Sequence, residues 1–295
     1  MRISERDQQK WAPLLRFESA TTRGVRALYA RTRAVGALSV VIFGSAFMSS
    51  GPVYAQSAVD AAQAMASALD GAGGGISMAD QVAALEAAAA AGDPMAQWQL
   101  GLMYESGEGV EQDKAKAFGY FAQIADQHAD TAPKGIEADI VAHSFVKMGE
   151  YYKSGVPEAG IPQDDDYSTK LILHAASYFG DADAQFKVGE LYLDESELGD
   201  NPIQSARWLA LAARKGHAGA QAKLGNILFN GDGNLEANPV EGLMWLTVAS
   251  RRSVGTPDAG WIDDLLNAAM SVADPEQRKQ AVELADSLGT QFGGL

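Results

Sequence analysis

The sequence predicts an all-α protein, an α-solenoid in which helical hairpins stack into a right-handed superhelix. Three observations indicate this fold class. A segment with glycine at both ends and Ala-Gln inside recurs at 92–101, 180–189 and 216–225. The second glycines of these segments, together with Gly149, follow one another at 36 to 48 residues, a period typical of helical-hairpin repeats. Ala and Leu are abundant, and no long alternation of apolar and polar residues predicts a strand.

Residues 93–128 form the clearest predicted repeat. Its first helix presents a single stripe for packing, made of Ala96, Leu100, Gly101 and Tyr104. The glycine of this stripe lets a second helix approach closely, at a cost of about 1 kcal/mol relative to alanine. Gly107 and Gly109 then break the helix, because glycine adopts positive φ easily. Asp113 is predicted to cap the second helix, which runs from 114 to about 127.

The same pattern divides the rest of the chain. We expect a half repeat at 77–92, full repeats at about 140–180, 181–216 and 217–252, and a capping hairpin at 258–289. The residues that correspond to the packing stripe of the first repeat are Gly149, Tyr152, Ala184, Gly189, Tyr192, Ala220 and Gly225. Since they recur at equivalent places, we interpret them as structural residues of the packed seams.

A longer polar link is predicted between the first two full repeats. It runs from His128 to Asp139 and contains Pro133 and Gly135. Long exposed links in compact stacks are either functional or disordered. We therefore predict a preferred protease site here, and a point of regulated turnover.

The first 55 residues are interpreted as a signal peptide with a long basic segment. Five arginines between positions 16 and 33 precede an apolar run at 34–47, which is too short for a comfortable membrane span. The sequence Val53-Tyr54-Ala55 is a small-x-small site, so we expect cleavage after Ala55. The alternative is an uncleaved signal anchor. A flexible Ala/Gly-rich tether is expected at 56–76.

Composition then restricts the environment and the partners. The chain contains no cysteine, so export fits a bacterial periplasm better than it fits a disulfide-stapled secreted module. Without residues 1–55 the chain has 15 basic and 35 acidic residues, a net charge of −20, which argues against nucleic acid and anionic membranes as partners. No 20-residue apolar span follows position 60. We expect a soluble body that meets a protein partner.

No constellation of residues indicates catalysis, a metal site or a cofactor. The chain has four histidines, His128, His143, His174 and His217. No two of them are three or four residues apart, as on a metal-binding helix face. The last of them lies in a turn between repeats, where we favour a structural or solvated role. The aspartates at 164–166 are interpreted as a helix cap rather than a cation site, because no spaced oxygen pattern follows. We predict that the protein is not an enzyme.

The first helices carry one charged feature beyond the repeat pattern. Two residues before the glycine, consecutive repeats carry Lys147, Lys187 and Lys223. One residue after the glycine stand Glu150, Glu190 and Asn226. First helices of such stacks usually line the concave wall, so the lysines are expected to form a ladder across three layers. Two interpretations remain open: a groove that binds an acidic or extended partner segment, or solvated faces with i,i+3 pairs worth about 0.2–0.5 kcal/mol.

The repeat pattern resembles the Sel1-like repeat family, which is related to the tetratricopeptide repeats. The match to its alanine, Leu-Gly, tyrosine and Gly-x-Gly-Val positions is nearly complete from Ala96 to Ala125. At 184–216 and 220–250 the match is good in the helices only, because the Gly-x-Gly-Val loop is missing or partial.

A closer resemblance is to the periplasmic negative regulators of exopolysaccharide production, of the ExoR type. It is carried by SFVKMGEYYKSGVP at 144–157, AASYFGDADAQF at 175–186 and KGHAGAQAKLGNILF at 215–229. This resemblance implies an inhibitor that binds the periplasmic domain of a membrane sensor histidine kinase and so represses exopolysaccharide synthesis. It also implies a periplasmic protease as a second partner. The alternatives are a cell-envelope scaffold for an assembly or secretion complex, and an enzyme acting on envelope components.

Overall fold

The protein is an α-solenoid of helical hairpins, as predicted. The structure, a computed structural model, describes residues 77–128, 135–193 and 198–291. The expected signal peptide and tether lie outside these residues. Eleven α-helices and no strand occur within them. In chain order they are α1 Met78–Ala90, α2 Pro94–Ser106, α3 Lys114–His128, α4 Ile136–Ser154, α5 Asp165–His174, α6 Ala182–Leu191, α7 Pro202–Arg214, α8 Ala218–Asn230, α9 Pro239–Ser253, α10 Ala259–Val272 and α11 Pro275–Gln291.

Each layer of the stack is one hairpin. The pairs α2–α3, α4–α5, α6–α7 and α8–α9 follow the half repeat α1, and the first helix of each pair contacts the first helix of the next. Helix α10 packs on α8 and α9. The last helix, α11, packs mainly on α9. In the described part of the chain, no helix combines the length and the apolar character that crossing a bilayer requires.

Local sequence determines where the helices begin. At α2, α6 and α8 a side chain accepts a hydrogen bond from the N–H of the repeat alanine, in the pairs Asp93–Ala96, Asp181–Ala184 and His217–Ala220. At second helices the predicted caps are confirmed: Asp113 accepts from the N–H of Lys116, and Asp164 accepts from the N–H of Tyr167. These bonds satisfy amides that have no partner inside the helix.

The hairpins close around the repeat glycines. A Cβ added to these glycines would lie 2.5 to 2.8 Å from an atom of the second helix, in the pairs Gly101–Phe121, Gly149–Ile172, Gly189–Leu209 and Gly225–Gly242. No real side chain tolerates such distances, so only glycine permits this helix separation. In the first hairpin the turn is made by Gly107 and Gly109, with φ of 79° and 76°.

The repeat tyrosines close the same hairpins through their backbone. Their carbonyl oxygens accept hydrogen bonds of 2.8–2.9 Å from the residue that caps the next helix, in the pairs Tyr104–Asp113, Tyr152–Asp164 and Tyr192–Asn201. The rings of Tyr104 and Tyr152 are buried and that of Tyr192 is half-buried. The turn length therefore varies between hairpins while the bond that closes them is kept.

Buried glutamines join one layer to the next. The side-chain Nε2 donates to a carbonyl oxygen near the end of the preceding helix at 2.9–3.2 Å, in the pairs Gln97–Ala89, Gln185–Ala176 and Gln221–Ala213. The carbonyls of Ala89 and Ala213 each also accept the N–H of the glycine that follows the helix, Gly92 and Gly216, so the glutamine supplies a second donor at the helix end. The glutamine of the Ala-Gln motif thus links one layer to the next, and the pattern along a single helix does not reveal this role.

The second full hairpin departs from the expectation in two ways. Helix α4 begins at Ile136, so the predicted link from His128 to Asp139 is too long: residues 136–139 are helical. Helix α5 continues as a π-helix over Ala175–Phe179. The extra turn contains Ala138, which is buried, so packing against the rest of the protein stabilises it.

Candidate interaction surface

Charged side chains of the first helices pair across the layers. Each lysine contacts a carboxylate of the preceding first helix, at 2.9 Å for Lys147–Glu105, 2.8 Å for Lys187–Glu150 and 3.3 Å for Lys223–Glu190. We call these six residues the charge ladder. It joins α2, α4, α6 and α8, because a lysine side chain is long enough to span two stacked helices.

The sequence predicts a ladder of lysines across three layers with acids at i+3, and the structure adds ion pairs between the layers. Among the i,i+3 contacts considered from the sequence, the structure has Lys147 with Glu150, at 3.5 Å. The shorter contacts run between layers, and spacing along a single helix gives no information about them. Asn226 ends the ladder on α8, where its side-chain oxygen accepts a hydrogen bond from Asn230.

The ladder is accessible and weakly held. Its side chains are 27% to 40% exposed. Ion pairs at such exposure contribute about 0.2–1 kcal/mol each. Burial acts to lower the pKa of Lys147, but the hydrogen bond to Glu105 and the charge of Glu150 outweigh it, so the pKa lies above its usual value. The lysine therefore stays charged at neutral pH.

A second polar group lies at the N-terminal ends of α6 and α8. The Nε2 atom of His143 lies 3.2 Å from Oδ2 of Asp181 and 3.8 Å from Oδ2 of Asp183. On the other side, Nε2 of His217 lies 3.3 Å from Oδ1 of Asp183. We call these four residues the histidine–aspartate cluster. It connects three successive first helices, α4, α6 and α8.

The electrostatics of the cluster follow from its hydrogen bonds. Burial acts to lower the pKa of His143, but the hydrogen bond to Asp181 and the charges of the aspartates outweigh it and raise the pKa. The hydrogen bond from His217 lowers the pKa of Asp183, against the effect of burial. Nδ1 of His217 accepts the N–H of Ala220, so its Nε2 carries the proton that faces Asp183.

Aromatic rings enclose both histidines. Trp98 of α2 stacks on His143 with ring centroids 5.8 Å apart, and Phe186 of α6 stacks on His217 at 4.4 Å. His217 therefore has the structural role that the sequence favoured. His143 was not singled out, although it and Asp183 share one signal: both stand six residues before the repeat glycine.

The ladder and the cluster form one polar face. Asp183 and Lys187 are four residues apart on α6, and the charge of Lys187 contributes to the low pKa of Asp183. Residues six and two before the glycine, and one after it, point to the same side of a helix with 3.6 residues per turn. Within the ranges that the structure describes, no group of three or more His, Asp or Glu side chains is arranged to hold a metal ion.

Comparisons with known proteins agree with this architecture. The family model described as Sel1 repeat matches residues 94–128, 182–217 and 218–254. These stretches correspond to α2–α3, α6–α7 and α8–α9. The chain is also similar to a crystal structure of a Sel1 repeat protein from Oxalobacter formigenes, with a TM-score of 0.52 and 24% identity over 72% of this chain and 80% of that one. That likeness concerns the fold.

Two curated proteins are similar in sequence to this chain over most of its length. An exopolysaccharide production negative regulator of Rhizobium leguminosarum bv. viciae is 33% identical over 211 residues, which cover 72% of this chain and 76% of the relative. A protein of the same name from Rhizobium meliloti (strain 1021) is 28% identical over 212 residues, with the same coverage.

Proposed function

Because the chain belongs to the Sel1-repeat family of exopolysaccharide production negative regulators, we propose that it represses exopolysaccharide production by binding the periplasmic domain of a membrane sensor histidine kinase. The observation that carries the proposal is the similarity to the Rhizobium leguminosarum regulator, which is 33% identical over 211 residues. The kinase as the partner rests on the resemblance found in the sequence, and so does a periplasmic protease that relieves the inhibition.

The fold supports a binding role. A solenoid exposes one helix of every layer along an extended surface, which suits a protein partner better than a small ligand. The polar face supplies the residues for such contact: the lysines at 147, 187 and 223, the glutamates at 150 and 190, and Asn226. Its ion pairs are partly exposed, so a partner segment with acidic and basic side chains replaces them at little cost.

The charge ladder favours recognition by pattern over recognition by net charge. Three lysines face three glutamates, so the ladder carries no net charge at neutral pH. A purely acidic segment would meet the lysines but leave the glutamates unpaired. A segment with alternating charges satisfies both, which gives specificity more than raw affinity.

The periplasm is the proposed location. The basic N-terminal segment, the apolar run at 34–47 and the cleavage site after Ala55 support export, and all lie outside the described residues. Mass spectrometry of the exported protein should give an N-terminus at or close to Gln56. A full-length chain in the cytoplasm would exclude the periplasmic mechanism.

Gene deletion tests the regulatory role. We expect a deletion strain to secrete more exopolysaccharide, and we expect a second deletion, of the sensor kinase, to abolish the increase. Unchanged exopolysaccharide in the single deletion would overturn the proposal. An increase that persists without the kinase would leave a regulator that acts through a different partner.

Binding to the purified periplasmic domain of the kinase tests the mechanism. The mature chain should bind, and the triple variant Lys147→Gln, Lys187→Gln, Lys223→Gln should bind more weakly. A matched control makes the same charge change on α3 and α11, with Lys114→Gln, Lys116→Gln and Lys279→Gln. Equal binding by both triple variants would show that the ladder is not part of the interface with the kinase. Absence of binding by the wild type, with capture of a secretion or cell-wall complex instead, would favour the scaffold function.

A further inference from the structure

Helix α1 has the surface of a second helix whose first helix is missing from the described residues. It matches α7 closely: both helices have 13 residues, begin after a side-chain cap and end shortly before a glycine with positive φ. When the two sequences are aligned at the capping residues Ser77 and Asn201, Leu85 corresponds to Leu209. The two helices therefore offer a direct comparison of a covered and an uncovered stripe.

The packing stripes of these helices differ in burial. On α7 the stripe is fully buried and consists of Ser205, Leu209, Ala212 and Ala213. Its counterpart on α1 consists of Gln81, Leu85, Ala88 and Ala89, of which the first three are half-buried. Leu209 is covered because it packs against Gly189 of the first helix α6. Leu85 has no such helix in front of it in the part of the chain that the structure describes.

The sequence directly before α1 carries the first-helix pattern. Residues 62–76 read AQAMASALDGAGGGI, and residues 96–110 of the clearest repeat read AQWQLGLMYESGEGV. The two stretches agree at Ala-Gln, at both glycines of Gly-x-Gly and in the β-branched residue that follows. Ser67, a small residue, stands where the repeat has Gly101. In both stretches the first of these glycines stands ten positions after the glutamine.

We infer that residues 62–73 form the first helix of an N-terminal hairpin and pack against the stripe of α1, with Ser67 facing Leu85. The segment suits this surface because it contains a single charged side chain, that of Asp70, which lies near its end, where the clearest repeat has Tyr104. The matched stretch 62–76 ends at Ile76, immediately before Ser77, the capping residue of α1. Covalent attachment over so short a span gives an effective concentration in the millimolar range, which favours it over a second copy of the chain at micromolar concentration.

Packing of this segment on α1 would give the N-terminus of the mature chain a structural role. A chain that begins near Gln56 then starts with a terminal repeat that closes the stack, instead of with a tether. Solenoids require such terminal units, because the last layer otherwise leaves its packing face in water.

A cysteine pair tests the contact in the mature chain, which has no native cysteine. We expect Ser67→Cys with Leu85→Cys to form an intramolecular disulfide in glutathione buffer about tenfold more readily than Met65→Cys with Leu85→Cys, because position 65 points away from α1. Equal yields from the two pairs would overturn the inference. A disulfide-linked dimer as the main product would assign the stripe to a second copy instead.

Hydrogen exchange provides a test without cysteines. Ala66→Pro interrupts the proposed helix, whereas Ala58→Pro lies before it. We expect the amides of α1 to exchange about tenfold faster in the first variant and at the wild-type rate in the second. Identical exchange of α1 in both variants and the wild type would exclude the packing of residues 62–73 on α1.

Discussion

The imidazole of His143 and the carboxylate of Asp181 join two layers of the solenoid: Nε2 lies 3.2 Å from Oδ2, and the same aspartate caps α6 by accepting the N–H of Ala184. One carboxylate thus connects the start of a helix to the helix of the preceding layer. Because His143 is most strongly bound when it is protonated, the contact depends on pH.

Removing His143 should cost more stability in acid than in alkali. Its pKa is raised in the folded protein, so its contribution is fully present below the unfolded pKa of about 6.5 and is lost as the pH rises through the folded value. We expect His143→Gln to lower the free energy of unfolding by more at a pH of about 5.5 than at about 8.5. Urea denaturation at the two pH values measures this difference.

His174 provides a control of opposite sign. Burial lowers its pKa, so the folded protein loses stability as the pH falls through the unfolded value of about 6.5 and the imidazole must be charged. His174→Phe should therefore relieve part of the acid sensitivity. A pH-independent effect of both substitutions would contradict the assignment of the two histidines.

The buried glutamines should stabilise the stack as inter-layer bonds. Gln221→Met keeps the side-chain length but removes the donor that lies 2.9 Å from the carbonyl oxygen of Ala213, which then keeps the N–H of Gly216. We expect a loss of about 1–2 kcal/mol in the free energy of unfolding. Gln123→Met, at an exposed position of α3, is the matched control and should change stability by less than about 0.5 kcal/mol. Thermal melting of both variants measures the two changes in stability.

A methyl group should act differently at two helical glycines. Gly101→Ala places a Cβ 2.5 Å from the ring of Phe121, so the helices must separate, at a cost of about 1–3 kcal/mol. Gly119→Ala meets no atom within 4 Å and should stabilise α3 by up to about 1 kcal/mol. Equal shifts in Tm would show that the seam tolerates a side chain at position 101.

The coupling between ladder residues should follow the inter-layer contacts. A double-mutant cycle on Lys187 and Glu150, which are 2.8 Å apart, should give a coupling energy of about 0.2–1 kcal/mol that falls with added salt. The cycle on Lys187 and Glu190, three residues apart on the same helix, should give a smaller value. The reverse order would favour the solvated i,i+3 pairs considered from the sequence.

Proteolysis should begin in the link between α3 and α4. The described helices restrict this link to 129–135, and residues 129–134 lie outside the described residues. With a protease of broad specificity at low concentration, we expect two large fragments whose masses place the first cut there. A first cut inside a helix between 136 and 291 would contradict the prediction.

The sequence by itself determined the fold class and the register of the repeats. Glycine at 101, 149, 189 and 225 indicates a seam because only a residue without a side chain permits that helix separation, and the caps at Asp113 and Asp164 follow from local hydrogen bonding. Such features depend on neighbours in the chain or on spacing along one helix, so a periodic pattern is sufficient to predict them.

Only the tertiary structure decided which side chains meet between layers. The sequence placed Lys187 beside Glu190, whereas the fold places it against Glu150, 37 residues earlier in the chain. It also brings His143 to Asp181 and extends α4 to Ile136. These contacts depend on the rotation and separation of stacked helices, which packing of the whole core sets and which no spacing along a single helix contains.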